Sequence, residues 1–327
     1  MSNIVAMNTG LYNPFQHFDF LYKKCFLSGS TFNSPVIQLP LIPKWLLAQA
    51  GLTGEEQIQF LDESIRSYNT LVIPANSEVN EQFLIPLENK IEQAFAKGYA
   101  GVSTLTELEI FNWVGKFLYG FVYIEMHAAL RKEMTADGLN MSQSLMMKFA
   151  NLNFMLQNLY TSIAFEDFTP WSITVVKLEN KETPFSFRDE INTLTFSLKF
   201  KDFGIVACLQ DNGTNKRFHQ EIINEISDKA LTAEQFEELT ARFYYSAYLF
   251  NRLPEYTIMP VEGTTYFEAM PLRGNMSKPL FDVWQHKVYA QVLENFWKPW
   301  GYVQFEIIKD PNNPMSFFEN PCLPTAG

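Results

Sequence analysis

Residues 193–201 read Thr-Leu-Thr-Phe-Ser-Leu-Lys-Phe-Lys, with Leu194, Phe196, Leu198 and Phe200 alternating against hydroxyl and ammonium side chains. Successive side chains of a strand point to opposite faces, so a period of two predicts a half-buried strand. Phe203–Gln210 is expected to pair back across Lys201-Asp202, and Asp211-Asn212-Gly213 is the chemistry of a hairpin or strand-exit turn. Upstream, Trp171–Leu178 is rich in β-branched residues and reads as a neighbouring strand. Tyr256–Met259 and Thr265–Met270 flank Glu262-Gly263 as a second hairpin, and Val303, Phe305 and Ile307 alternate as a last strand. The second half is therefore expected to be α+β, with a mainly antiparallel sheet.

Before Pro170 the pattern is helical. Three Thr-x-x-Glu/Gln boxes mark expected helix starts: Thr53 with Glu56, Thr104 with Glu107, and Thr232 with Gln235. The first predicts a short helix ending near Ser67. The second opens a helix from Leu105 to about Glu133 that is apolar nearly all round, the mark of a buried central helix. Asp137-Gly138 breaks the chain before another helix, Ser142 to about Ile163; the third box opens Thr232 to about Arg252. A helix is expected from Pro279 to before Pro299. The Gly-Tyr-Ala-Gly stretch at 98–101 suggests a boundary, giving an N-terminal segment 1–100 and a helical connector plus α+β domain over 101–327.

The 327 residues carry 25 Lys+Arg against 36 Asp+Glu, a net charge of −11, and 47% are hydrophobic against 19% charged. That balance excludes disorder and gives no general electrostatic footprint for nucleic acid. A local basic group remains around the central hairpin: Lys199, Lys201, Lys216 and Arg217. Three cysteines cannot build a disulfide framework, and Met1–Gly10 holds no Lys or Arg to begin a secretory signal. The apolar stretch Ile110–Leu130 contains Asn112, Lys116, Glu125 and His127, and a charge at a bilayer centre costs ~2.5–3.5 kcal/mol, so no membrane span is expected. The reading is a cytoplasmic protein.

Four blocks of the first half resemble, in order, a bacterial family of HNH-endonuclease-like proteins. Cys25-Phe26-Leu27-Ser28-Gly29 is similar to the family's opening Cys-x-x-Cys-Gly knuckle. Leu39-Pro40-Leu41-Ile42-Pro43-Lys44-Trp45-Leu46-Leu47 is similar to its Glu-His-Ile-Phe-Pro-Lys-Trp-Leu-Leu. Ile73-Pro74-Ala75-Asn76-Ser77-Glu78-Val79-Asn80 is similar to its Pro-Cys-Cys-x-x-Cys-Asn, and Lys116–Glu125 to its following helix. The resemblance implies a ββα segment in which four thiolates hold a structural zinc, while a His activates water beside a divalent ion. Here Ser28, Ala75 and Val79 replace three of the thiols, leaving Cys25. Pro40 stands at the catalytic His position, Leu39 at the acidic one before it, and Asn80 keeps the Asn. The implied chemistry is lost, so no cofactor and no metal are expected, and the Cys25 turn should lie against the Ala75–Val79 turn through apolar contacts. The hairpin should present Pro40 and Leu41 to the helix that begins near Asn80 or Pro86.

Outside these blocks, Tyr119, Tyr123, His127 and Arg131 recur at steps of four and share one helix stripe. They are either one wall of a cleft with His127 as acid or base, or a packing face whose polar tips are satisfied locally. Two functions follow. The first is a catalytically inactive HNH-like protein, an interaction or nucleic-acid-associated module whose partner the sequence leaves open. The alternative is a hydrolase in or beside the C-terminal domain with a His/carboxylate pair, drawing on His127 with Tyr123 and Arg131, or on His219 or His286.

Overall fold

A computed structural model describes residues 10–31, 36–60, 63–131, 141–272, 277–310 and 314–318. In chain order the elements begin with β1 (Ile37–Pro40), α1 (Lys44–Ala50), β2 (Gln57–Gln59), β3 (Ile65–Ser67), β4 (Val72–Ala75) and α2 (Ser77–Val79). A π-turn, Asn80–Leu84, leads into α3 (Ile85–Ala96), followed by α4 (Tyr99–Val102), α5 (Glu107–Arg131), α6 (Gln143–Leu156) and β5 (Ile163–Glu166). Then come β6 (Ser172–Leu178), β7 (Thr183–Glu190), β8 (Thr195–Lys201), β9 (Phe203–Cys208), α7 (Thr214–Phe218), α8 (Gln220–Ile226), β10 (Ala230–Leu231) and α9 (Ala233–Leu249). The chain closes with β11 (Tyr256–Val261), β12 (Thr264–Ala269), α10 (His286–Trp297) and α11 (Gln304–Ile307). The fold is mixed α+β, with helices around a C-terminal sheet. Among the described residues no helix is long and apolar enough to cross a membrane.

Contacts divide the chain into two compact units, 1–96 with 105–168 and 255–269, and 97–104 with 169–254 and 270–327. This differs from a single boundary at residue 100: the long helix α5 and the β11–β12 hairpin group with the N-terminal segment.

In the first unit α5 is the central element, and Trp113, Phe117, Phe121 and Ile124 are all buried. Within the unit it packs on α6, β4 and α3. Two glycines set the spacing, since a Cβ on Gly115 would fall 3.0 Å from Leu156 and one on Gly120 would fall 2.2 Å from Leu41. Several polar side chains in this core are paired, although Trp113 Nε1 and Tyr119 OH have no hydrogen-bond partner among the described residues. Asn112 and Asn158 exchange amide hydrogen bonds at 2.9 and 2.6 Å, and the Lys116 ammonium meets Glu88, which also accepts from Trp45 Nε1 at 2.8 Å. Burial pulls the Lys116 pKa down to about 7. The hairpin β11–β12 adds to β5, with β12 parallel to β5.

In the second unit the sheet order is β10-β6-β9-β8-β7, antiparallel except for β10–β6. β8 pairs with β9 from Thr195↔Cys208 to Phe200↔Phe203, across a tight turn in which Lys201 takes φ +51°. Val176, Leu178, Val206 and Cys208 share a core with Phe236, Leu239 and Phe243 of α9. Gly204 is required there because a Cβ would sit 2.2 Å from the Phe236 ring. α10 packs on the other side of α9 through Tyr289, Leu293 and Trp297.

The helix starts need three corrections. Thr232–Gln235 forms a capping box as expected, but Thr53–Glu56 does not start a helix. Gly54 takes φ +85°, and the Glu56 carboxylate accepts from Thr53 N (3.1 Å) and Gly54 N (2.8 Å), closing a turn into the β2–β3 hairpin. The cap of α5 lies two residues later than expected, with Thr106 N on Glu109 (2.9 Å) and Glu109 N on Thr106 Oγ1 (3.2 Å). The helix expected from Pro279 begins at His286. The alternation Val303-x-Phe305-x-Ile307 is helical, burying Ile307 and leaving Phe305 73% exposed.

Candidate functional site

The cysteine turn is closed by its own backbone: Cys25 N donates to Ser30 O, and Gly29 N donates to Cys25 O, both at 3.0 Å. Gly29 has φ +66° and the Tyr12 ring lies where a Cβ would be, so only glycine fits. The turn meets the end of β4, where Phe26 N donates to Pro74 O at 2.9 Å and Asn76 Nδ2 donates to Ser30 Oγ at 3.4 Å. β4 in turn pairs antiparallel with β1, from Ile37↔Ala75 to Pro40↔Val72. Asn76 caps α2 by accepting from Glu78 N at 2.8 Å, and Asn80 is buried at the start of the π-turn.

Cys25, Ala75 and Val79 are each buried, and Ser28, half-buried, bonds to Ser30 at 2.8 Å. One thiol, a hydroxyl and two aliphatic side chains do not fit a tetrahedral zinc. Among the described residues no three of His, Cys, Asp and Glu gather as a metal-holding group. Pro40 and Leu39, both half-buried, carry no proton-transfer group. Leu41, expected to face the helix near Asn80 or Pro86, seats on Gly120 of α5.

In the Tyr–His stripe of α5, Tyr123 and His127 are satisfied locally, whereas the buried Tyr119 hydroxyl has no hydrogen-bond partner among the described residues. Tyr123 OH donates to Leu21 O at 3.1 Å, and His127 Nδ1 donates to Phe20 O at 2.9 Å, with the Tyr22 ring 4.3 Å from the imidazole. Burial, with Arg131 and Arg66 adding, holds the His127 pKa below its ordinary value, and burial pushes that of Tyr123 well up. Arg131 ends the helix as a cation at its C-terminus.

In the second unit Asn212 and Gly213 take φ +50° and +70°, and the turn aims Asp211 inward. Its carboxylate accepts from Ser172 Oγ (2.6 Å), Gly213 N (3.1 Å), and Asn215 N and Nδ2 (2.7 and 2.9 Å). Burial raises its pKa against those bonds. This carboxylate holds a turn together. His219 is buried with Nε2 on Arg242 O (3.1 Å) and Ser246 Oγ (2.9 Å), and His286 begins α10. Of the basic group, Lys199 pairs with Glu237, and Arg217 Nη2 binds Asn212 O at 2.8 Å and Thr214 Oγ1 at 3.1 Å.

One feature eluded sequence reasoning. A cleft of about 650 Å³ opens between β7, the start of α9 and the Pro299-Trp300 turn. Lys199 and Glu237 pair within it, and Arg188 Nε approaches Glu237 at 3.4 Å. These residues come from four separated segments, and no spacing rule joins them. Compared with models of known families, with curated proteins and with solved structures, the chain matches none.

Proposed function

We propose that the chain is a catalytically inactive HNH-like protein of bacterial type, acting in the cytoplasm by binding a protein partner or nucleic acid. The observation that supports this reading is the corner where the Cys25–Ser30 turn bonds to the end of β4, beside the β1–β4 pair and ahead of a helix. With α1 and the β2–β3 hairpin inserted between its two strands, that is the order of a ββα segment, with apolar side chains where the family's ligands would be. A structural zinc can supply ~10–16 kcal/mol of apparent binding energy, and burial of Ala75, Val79 and Cys25 offsets part of its loss without charged, unmetallated thiolates. The hydrolase alternative draws less support, because His127 and His219 bond to backbone carbonyls and a hydroxyl rather than to a carboxylate.

Two measurements test this. Elemental analysis of the purified chain after a chelator wash should find far less than one zinc per chain; stoichiometric, retained zinc would refute the reading. With magnesium, manganese or nickel the chain should leave supercoiled plasmid intact, because Pro40 cannot act as a base. Metal-dependent nicking that persists in a Cys25→Ala, Asn80→Ala variant would put catalysis elsewhere in the molecule.

A further inference from the structure

We propose that the cleft of the second unit binds a small ligand that joins a planar ring bearing an amine to an oxyanion, the chemistry of a nucleoside monophosphate or an amino-aryl carboxylate. Its 650 Å³ lies within the ~300–1,000 Å³ typical of small-molecule sites.

The oxyanion end is argued from Arg188. Its guanidinium is steered from two sides, by the Glu237 carboxylate, whose Oε2 lies 3.4 Å from Nε without a hydrogen bond, and by the Phe296 ring, 4.7 Å below Cζ. The Arg188 carbonyl accepts from Tyr244 OH at 2.7 Å, which also fixes the edge strand β7. An arginine already held in place loses little side-chain entropy when it binds a planar oxyanion through two donors. The approach to Glu237 is through Nε, so both terminal nitrogens face away from that acid as donors.

The 5% exposed Glu237 carboxylate carries Lys199 as well, so two cations surround one acid. With Glu179 in the same lining the cleft is formally neutral, and its two cations lie together on the Glu237 side. The ring end is argued from Trp300, half-buried in the wall beside Pro299, with the Lys199 ammonium 5.8 Å from its centroid. An indole in a cleft wall offers a stacking platform. Glu179, an exposed acid following β6, lines the same cleft. It would repel a second anion and accept a hydrogen bond from an amine on the ring, which is why the ligand has one oxyanion and a donor edge.

The test is calorimetric titration of the full chain with adenosine monophosphate, 4-aminobenzoate, adenosine and inorganic phosphate, repeated on R188A, W300A and R188K. Both side chains reach solvent, and circular dichroism checks that each variant folds. At least one ring-bearing anion should bind at least about tenfold more tightly than phosphate and than adenosine. The R188A and W300A variants should each weaken it about tenfold or more, the loss of one charge-assisted hydrogen-bond pair or one stacked ring. R188K should recover little, since an ammonium lacks the fork. Whether the monophosphate or the aminobenzoate binds more tightly distinguishes the two sources. Binding of phosphate alone as tight as the ring-bearing anions, binding of adenosine as tight, no binding by either ring-bearing anion, or binding that folded R188A and W300A leave unchanged would each overturn the proposal. None of these results depends on the HNH-like reading of the first unit.

Discussion

Glu238→Ala should lower the unfolding free energy by about 3–5 kcal/mol, the usual cost of leaving one member of a buried ion pair alone. Glu238 and Arg242 lie one turn apart on α9 with side chains 0% and 1% exposed, joined by Nη2–Oε1 at 2.8 Å and Nε–Oε1 at 3.2 Å. The guanidinium also sits over the rings of Tyr289 and Phe318, at 5.7 and 5.6 Å. The remaining capacity of the carboxylate is taken by Ser316 Oγ and Phe317 N, both at 2.7 Å, and Gln235 Nε2 binds Phe317 O at 2.8 Å. Removing the acid therefore strands a charge and an amide together, and it should speed proteolysis around Ser316. In the double variant Glu238→Leu, Arg242→Met much of the loss should return, because apolar side chains of similar volume avoid the desolvation penalty of the pair. The orphaned Phe317 amide keeps the recovery partial. Urea denaturation measures both, and a single variant within 1 kcal/mol of the parent would show that the pair contributes little.

The second large effect is pH dependence, from two groups of opposite sign, the buried His219 and the half-buried Asp189. His219 holds its proton on Nε2 toward Arg242 O, while Nδ1 has no hydrogen-bond partner among the rings of Phe218, Phe243 and Trp284. Burial, then the Arg242 charge, lowers its pKa to about 3. Below about pH 6.5 the unfolded chain takes up a proton that the folded chain refuses, so stability falls with pH. Asp189 behaves oppositely. Burial, then the neighbouring Glu190, raises its pKa to about 6. Between about pH 4 and 6 the folded chain keeps a proton that the unfolded chain has lost, and stability rises on acidification. Each group contributes ~1.4 kcal/mol per pH unit within its window, so their effects nearly cancel in the parent between pH 4 and 6. Single variants separate them. Relative to the parent, His219→Gln should gain stability by about 3 kcal/mol on going from pH 6.5 to pH 4. Asp189→Asn should lose a comparable amount between pH 6 and pH 4. Differences from the parent that stay flat across pH 4–6.5 would mean that neither group titrates differently in the folded and unfolded chain.

The sequence by itself determined the elements whose local chemistry and burial pattern agree. The alternation at 193–201, the turn at Lys201-Asp202, the Asn212-Gly213 turn in left-handed backbone, the Glu262-Gly263 hairpin and the Thr232–Gln235 cap all follow from side chains within a few residues of each other. The near-continuous apolar run of α5 likewise implied burial, and Trp113 to Ile124 are buried. Tertiary structure decided where a local signal had two outcomes. The Thr-x-x-Glu pattern occurs at 53, 104, 106 and 265, the last within strand β12, and the same hydroxyl and carboxylate that cap a helix at Thr106 close a non-helical turn at Thr53, where Gly54 is left-handed. Val303-x-Phe305-x-Ile307 alternates like a strand, yet α10 offers a packing surface to Ile307 and none to Phe305, so a helical turn buries one side chain of the three. The candidate sites belong wholly to this second class. Phe26 reaches Pro74 across 48 positions, and Arg188, Lys199, Glu237 and Trp300 share a cleft only because sheet order and the α9 crossing place them there. Periodicity reports which face of an element is buried, and only the packed chain fixes which faces meet.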